Sequence, residues 1–448
     1  MTETKAKYEV ETYPVIAGGT SLLSKSAALK PEDCPTFVRG AGSLVYAEDG
    51  RAAVDWECGL LSILLGHAHI KVDAAVARAM GRGITSLPLG HPLEREAAEL
   101  LLDLSGCQGQ QVRWCVTGTA ANTAAVRVAR AITGRDVVVS IGYHGIDDWA
   151  LAHTPPAWGV PAAAKQLTVP AAFNDLAAVE RAFYGLDPGE ERLNAEHADL
   201  HGGKIAAVVV EPVTTEEPKP GYLEGLRRLC SRYGAALIFD ECITAGRYPE
   251  FTAARHYGVE PDLWVTSKCL ANGLPLAAVV GRREWMRAFD LDFRPEWATG
   301  GAGPTYVSGT FHVPGLSLAA CVATLAAWRE ENVGAHLYLT GNRLRIGLAV
   351  AVDFHGMGEH VRLKGTPYRI ALDFSDLTVK TFVLRKMLSR GHLLAASGMN
   401  LCAAHDQEDV ESAIKAWSAT LRELKQALAD GTVAEQAGRP VVQVYRQN

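Results

Sequence analysis

The feature that most constrains the fold is a series of short, almost entirely apolar segments in the middle of the chain. They include Ile205–Glu211, Ala235–Asp240, Leu263–Thr266 and Leu276–Val280, and helical patterns such as Tyr222–Tyr233 lie between them. A strand is apolar along its whole length when both faces of its sheet are covered. Such strands alternating with helices predict an α/β domain with a parallel or mostly parallel sheet.

The same alternation begins earlier, and the two chain ends show different patterns. Strands are predicted at Val112–Val116 and Asp136–Ile141, with a helix at Ala120–Ala131 between them. Residues 36–56 predict a small meander of three short strands, which turns at residues 48–50. Three further elements are predicted towards the C-terminus, namely a helix at Ser317–Glu331, a strand at Tyr368–Phe374 and a helix at Glu408–Leu428.

These patterns predict a large central α/β domain and a smaller domain built from both chain ends. We expect the smaller domain to take residues 1–75 and 328–430, and the large domain to take residues 76–327. Residues 431–448 are expected to form a mobile tail.

Composition narrows the class of protein. The chain has 448 residues, 48% of them hydrophobic, which is enough for a large core. Its net charge of −6 gives no basic surface for nucleic acid. We expect neither secretion nor a membrane span, because the start is polar and no long apolar run follows. The nine cysteines form no CxxC pair, so we predict no metal site and expect reduced thiols in a cytoplasmic protein.

Residues 117–122 follow a predicted strand and open a predicted helix. Glycine lets a phosphate approach the backbone, and the N-terminus of a helix offers free N–H groups and partial positive charge. Gly118 and Thr119 are therefore candidate phosphate contacts. The alternative is an ordinary threonine cap on a helix.

Asp240 ends one of the apolar segments, and Lys268 follows another. The carboxyl ends of parallel strands meet at one edge of a sheet, where ligands bind. A carboxylate buried there needs a cationic or hydrogen-bonding partner, and a lysine there is able to act as a nucleophilic amine. Taken singly, a capping aspartate or a solvated lysine is the alternative, but the combination and order of the three features favour a catalytic site.

The chain resembles the class III aminotransferases of fold type I, which depend on pyridoxal 5′-phosphate (PLP). Within that family it is most similar to the glutamate-1-semialdehyde aminomutase-like branch. The resemblance extends from about residue 12 to about residue 428. It rests on the segments at 66–69, 117–119, 129–136, 143–145, 211–213, 219–227, 238–241, 258–263, 267–275, 308–311 and 404–405.

The resemblance implies an α/β fold of type I, with a large domain around a mostly parallel, seven-stranded sheet and a smaller α+β domain from both chain ends. It also implies that PLP is held as a Schiff base on Lys268. Asp240 would keep the pyridine nitrogen protonated, which makes the ring an electron sink.

Further roles follow residue by residue from the resemblance. Gly118 and Thr119 would bind the phosphate, Tyr143 would stack on the ring, and His144 would lie close by. Thr310 would reach the phosphate of the neighbouring subunit, so the family implies a homodimer with shared active sites.

The chain also departs from the family pattern. Cys242 stands where valine usually packs on the ring. Glu211 matches the family pattern and is expected beside the cofactor or as a structural carboxylate near the site. Lys25 stands near the place of the arginine that binds the substrate carboxylate in the true aminomutase, and lysine matches a carboxylate less well. Asn400 lies in a shortened C-terminal loop. Lys25 and Asn400 are candidate substrate contacts.

We therefore predict an aminotransferase of specialised biosynthesis that moves an amino group from a donor, expected to be L-glutamate, to a carbonyl acceptor. An aminomutase, epimerase or decarboxylase is the alternative, since Lys268 and Asp240 serve these reactions equally. A non-catalytic binding scaffold is a third reading, which the joint presence of lysine, aspartate and phosphate turn opposes. Nucleotide binding of the G-x-G-x-x-G type is excluded because that motif does not follow a first strand.

Overall fold

The computed structural model describes residues 15–17, 20–86, 90–154, 157–184, 205–295 and 304–442. The strands are β1 Phe37–Ala41, β2 Leu44–Ala47, β3 Ala52–Trp56, β4 Gln111–Cys115, β5 Val137–Ile141, β6 Thr168–Pro170, β7 Ile205–Val210, β8 Ala236–Asp240, β9 Leu263–Thr266, β10 Ala277–Gly281, β11 Val361–Thr366, β12 Arg369–Phe374, β13 His392–Leu394 and β14 Gly398–Asn400.

The α-helices are α1 Ile70–Gly81, α2 Pro92–Leu104, α3 Gly118–Thr133, α4 Asp148–Leu151, α5 Ala162–Gln166, α6 Leu176–Tyr184, α7 Tyr222–Tyr233, α8 Ala253–Tyr257, α9 Arg283–Met286, α10 Gly315–Glu330, α11 Val333–His355, α12 Leu377–Ser389, α13 Gln407–Asp430 and α14 Val433–Ala437. Within the part of the chain that the structure describes, no helix is long and apolar enough to span a bilayer.

The contacts divide the chain into two compact units. The larger unit covers residues 58–339 and 401–404, and the smaller unit covers the described residues up to 57, then 340–400 and 405–442. The first boundary between the units therefore falls at residue 57, whereas the sequence patterns predict it at residue 75. The second falls inside α11, twelve residues beyond the predicted limit at 327.

The larger unit is built on a seven-stranded sheet with the order β4-β10-β9-β8-β7-β5-β6. Its strands pair in parallel except β10, which runs antiparallel to both β4 and β9. Every residue of β7 and β8 is buried, as their continuous apolar sequences require when helices cover both faces of the sheet. The predicted mostly parallel, seven-stranded sheet is confirmed.

Helix α3 shows how the sequence brings a helix close to this sheet. Thr117 caps its N-terminus through its side chain, and Gly134 ends it with a left-handed φ of 66°. Its buried face carries Ala121, Ala124 and Ala125. These small side chains let the helix pack against β7, β9 and β10, so that its first turn lies just beyond the end of β4.

The smaller unit contains two sheets. The predicted meander forms β1, β2 and β3, and β13 joins it in parallel beside β3. The strands β11, β12 and β14 form an antiparallel sheet. Trp417 of α13 is fully buried, and its indole N–H donates to the Leu348 carbonyl at 3.2 Å.

The described part of the predicted tail is packed rather than mobile. Residues 433–437 form α14, and Val441 is buried with its N–H donating to the Thr381 hydroxyl at 2.9 Å. Two buried apolar residues, Ala437 and Val441, and this backbone hydrogen bond hold the segment against the rest of the unit. The remainder of the tail and the start of the resemblance at residues 12–14 lie outside the described residues.

Candidate active site

Seven of the predicted site residues line one cavity of about 340 Å³ in the larger unit. The cavity lies where β4, β5, β8 and β9 end, because Val116, Tyr143, Asp240 and Ser267 line it at or just beyond the ends of these strands. This edge is the one at which ligands bind in an α/β sheet. The seven residues are Gly118, Thr119, Tyr143, His144, Asp240, Cys242 and Lys268.

The first turn of α3 forms one wall. The Thr117 hydroxyl accepts from the Ala120 N–H at 3.2 Å, which confirms a threonine cap beside the predicted phosphate turn. The leading N–H groups of a helix have no acceptor within the helix, so they remain available to an anion. A Cβ on Gly118 would lie 2.8 Å from Cys242 Sγ, so glycine is required for this close approach.

Asp240 is 3% exposed and is held by three donors. Its Oδ2 accepts from Asn122 Nδ2 at 2.8 Å and lies 2.9 Å from His144 Nδ1, while its Oδ1 accepts from the Cys242 N–H at 3.1 Å. Burial acts to raise the pKa of Asp240, but the hydrogen bonds and charge of its neighbours outweigh it and leave the pKa below its ordinary value. The carboxylate is therefore ionised.

The His144 ring is 1% exposed and contacts an oxygen atom at each nitrogen. Nδ1 faces Asp240, and Nε2 lies 3.1 Å from the Ile141 carbonyl oxygen. A carbonyl and a carboxylate both accept hydrogen bonds, so each ring nitrogen has an acceptor within reach. The contact between His144 Nδ1 and Asp240 holds the ring and the carboxylate together in the buried part of the site.

Asn122 is a site residue that the sequence analysis missed. Its side-chain amide donates to Asp240 and also to the His144 carbonyl at 3.3 Å. The available signal is a polar residue on the buried face of a helix that otherwise carries alanine and valine there. A buried amide in that setting needs a partner across the interface.

Glu211 supports the site without lining the cavity. Its Oε1 accepts from the Tyr143 N–H at 2.9 Å. Gly142 has a φ of 105°, and a Cβ there would lie 2.7 Å from the same oxygen. Glu211 thus fixes the backbone that carries Tyr143 and His144, which matches the structural reading of this residue.

Lys268 is half-buried and follows β9. The preceding Ser267 hydroxyl donates to the Leu276 carbonyl at 3.0 Å and closes the loop around the lysine.

Burial, followed by the charge of Asp240, raises the pKa of Cys242 well above its ordinary value, so the thiol stays neutral and acts as a packing group.

Three predicted residues lie elsewhere. Thr310 is exposed, in the loop before α10. Lys25 is exposed in a short 3-10 turn of the smaller unit. Asn400 ends β14 in that unit, where its Nδ2 donates to the Glu57 carbonyl at 3.1 Å.

Comparisons with known proteins show which proteins the chain is similar to. A family model described as class-III aminotransferase matches residues 29–419. A glutamate-1-semialdehyde 2,1-aminomutase from Pelotomaculum thermopropionicum is 32% identical and aligns over 85% of this chain and 89% of its own length. The protein of the same name from Roseiflexus castenholzii is 33% identical over 89% and 92%.

Solved structures show the same fold. A glutamate-1-semialdehyde aminomutase from Pseudomonas aeruginosa PAO1 superposes with a TM-score of 0.76 at 26% identity, covering 92% of each chain. An omega-transaminase from Sphaerobacter thermophilus gives a TM-score of 0.77 at 24% identity, covering 91% of this chain and 94% of its own.

Proposed function

Because the chain belongs to the class-III aminotransferase family, whose cofactor is PLP, we propose that it transfers an amino group from L-glutamate to a carbonyl acceptor in specialised biosynthesis. The observation that carries this proposal is one cavity that combines an ionised, buried Asp240, the amine of Lys268 and the first turn of α3.

The residues present fit PLP. The free N–H groups at the start of α3 and the Thr119 hydroxyl suit a phosphate. Asp240 offers a negative charge to the ring nitrogen, and Tyr143 and Cys242 supply side chains to pack against the ring. When bound, PLP withdraws electrons from the substrate's reacting carbon.

The protein's own groups then have distinct tasks. The Lys268 amine holds the cofactor and, once released, moves a proton at the substrate's α-carbon. His144 and Asn122 hold Asp240 in its ionised form. Glu211 keeps the segment that carries Tyr143 in place.

An aminomutase is the second candidate, because the relatives at 32% and 33% identity carry that name. It would use the same lysine and aspartate, but it would move the amino group within one substrate. An epimerase or decarboxylase would also retain both residues.

We also propose that the enzyme is a homodimer. Around exposed Thr310, the side chains of Tyr306 and Phe311 are 74% and 71% exposed, which is costly for aromatic groups unless another surface covers them. A second copy would cover these rings and bring Thr310 to its neighbour's phosphate. Light scattering at twice the monomer mass is the expected result, and a monomer would contradict it.

All nine cysteines are free, which supports the cytoplasm as the location of the protein.

The visible absorption of the purified protein tests the proposed reaction. A yellow band should be present, and it should bleach when L-glutamate is added and return with a suitable keto acid. Lys268→Ala is the control and should not show the glutamate-dependent bleaching. A band that persists with L-glutamate would contradict the donor, and no band after adding PLP would contradict the cofactor site.

A further inference from the structure

The segment at residues 58–66, which we call the strap, has an unusual backbone. Four consecutive residues are left-handed, with φ of 50° at Cys58, 54° at Gly59, 57° at Leu60 and 70° at Leu61. This conformation is unfavourable for residues with a Cβ, and here only one of the four is glycine. It persists only where the surroundings hold it.

Arg247 is the first anchor of the strap. Its side chain is fully buried and donates to the Ile243 carbonyl at 2.8 Å, to the Ala245 carbonyl at 3.3 Å, and to the carbonyl of Leu61. Ile243 and Ala245 belong to the loop that follows Asp240. One guanidinium therefore ties the end of the left-handed turn to the loop that follows the site carboxylate.

Asn272 is the second anchor, four residues after Lys268. Its Oδ1 accepts from the N–H groups of Leu64 and Leu65, both at 2.9 Å, and its Nδ2 donates to the Gly66 carbonyl at 2.9 Å. One side-chain amide thus satisfies three backbone groups of the strap. Asn272 itself has a φ of 43°, which asparagine tolerates better than most residues.

Ser62 lies between Leu61 and Leu64, the strap residues that the two anchors hold, and it faces the cavity. Ser62 lines it together with Lys268. Its hydroxyl donates to the Gly59 carbonyl at 2.7 Å, so its oxygen remains able to accept a hydrogen bond. The neighbouring Ile63 packs so closely on Gly273 that a Cβ there would lie 2.8 Å from Ile63 Cδ1.

We infer that Arg247 and Asn272 are positioning residues that hold the strap so that Ser62 presents its hydroxyl to the substrate beside Lys268. The inference rests on the proposed function only in requiring that a substrate binds in this cavity. Because Arg247 belongs to the loop after Asp240 and Asn272 belongs to the loop that carries Lys268, the substrate-facing wall and the reacting groups keep a fixed mutual geometry.

Hydrogen–deuterium exchange of the PLP-loaded enzyme tests the anchoring. In Asn272→Ala, the amides of Leu64 and Leu65 lose their acceptor, so exchange in residues 58–66 should become at least about tenfold faster. Asn174→Ala is the matched control. Asn174 is also left-handed, with a φ of 67°, and also binds two backbone groups, Lys219 N–H at 2.7 Å and the Glu217 carbonyl at 3.1 Å. Unchanged strap exchange in Asn272→Ala would overturn the anchoring.

Two carbonyl reagents then test the effect on recognition. Hydroxylamine and aminooxyacetate both consume the bound cofactor's yellow band, but only aminooxyacetate carries a substrate-like carboxylate. In Asn272→Ala and in Ser62→Ala the ratio of the aminooxyacetate rate to the hydroxylamine rate should fall about tenfold, and the double variant should show no further fall. An unchanged ratio, or additive losses, would overturn the role of Ser62. A wild-type protein that keeps its band with L-glutamate would contradict the proposed donor alone, since neither strap measurement uses it.

Discussion

Replacing His144 with alanine tests the charge arrangement at the centre of the site. The ring supplies one of three hydrogen bonds to the buried Asp240 carboxylate, at 2.9 Å. A hydrogen bond to a charged group stabilises by about 1.5–3 kcal/mol. In the proposed function Asp240 must be ionised to pair with the cofactor's ring nitrogen, so the affinity for PLP should fall about ten- to a hundredfold.

The pH dependence of this affinity should also change. His144 helps to lower the pKa of Asp240, although burial acts in the opposite direction. Without the ring, Asp240 binds a proton more easily. As the solution is acidified, the variant should therefore lose PLP at a higher pH than the wild type does.

Absorption titration of PLP into cofactor-free protein measures both effects. His153→Ala is the matched control, because its Nε2 also faces backbone carbonyls, Lys165 O at 3.1 Å and Thr168 O at 2.8 Å, while the residue lies outside this cavity. Thermal unfolding shows whether each variant is folded. Wild-type affinity and pH dependence in His144→Ala, or an equal loss in the control, would refute the reasoning.

Three further predictions concern catalysis and stability. Lys268→Ala should lose turnover while the first turn of α3 still retains PLP after dialysis, and wild-type turnover would exclude its catalytic role. Burial lowers the pKa of His392 to about 4. Between pH 6.5 and 4 only the unfolded chain gains the proton, so the wild type should lose about 3 kcal/mol of unfolding free energy over this range. In denaturant titrations His392→Gln should lack this loss. Gly341→Ala would place a Cβ 2.0 Å from the Pro367 carbonyl oxygen and should destabilise by about 1–3 kcal/mol or more, whereas Gly358→Ala, with open space around it, should be nearly neutral by the same titration.

The sequence predicted the long and fully buried elements well. The strands β7, β8 and β9 were predicted to within one residue at each end, because continuous apolar runs are typical of buried parallel strands. It did not predict β13 and β14, which have three residues each and too little pattern to recognise. It also could not predict that β10 runs antiparallel, since an apolar run does not encode strand direction.

The groups that touch the cofactor were easier to predict than those that hold the site together. Asp240 is recognised by its position at the end of a strand, and Lys268 by its position just after one. Arg247 and Asn272 hold the strap through hydrogen bonds to residues distant in sequence, at separations of 186 and about 207 positions. Such contacts depend on the packed fold and leave no local pattern in one sequence. Asn122 contacts Asp240 across 118 positions, and its local signal is a polar residue on a buried helix face.

The neighbouring carboxylates Asp240 and Glu241 show why local sequence alone does not assign such roles. Successive side chains at a strand end point in opposite directions. Asp240 lies in the cavity with His144, and its pKa is lowered. Glu241 is turned to the start of α8, where it accepts from the N–H groups of Ala253 and Ala254, yet burial still raises its pKa to about 7. A binding scaffold with this fold would require Glu241 as a helix cap. It would gain little from Asp240, because keeping a charge buried beside an open cavity is costly. The opposite pKa shifts of the two carboxylates therefore favour an enzyme over a binding scaffold, and they favour Asp240 as the residue that meets the cofactor.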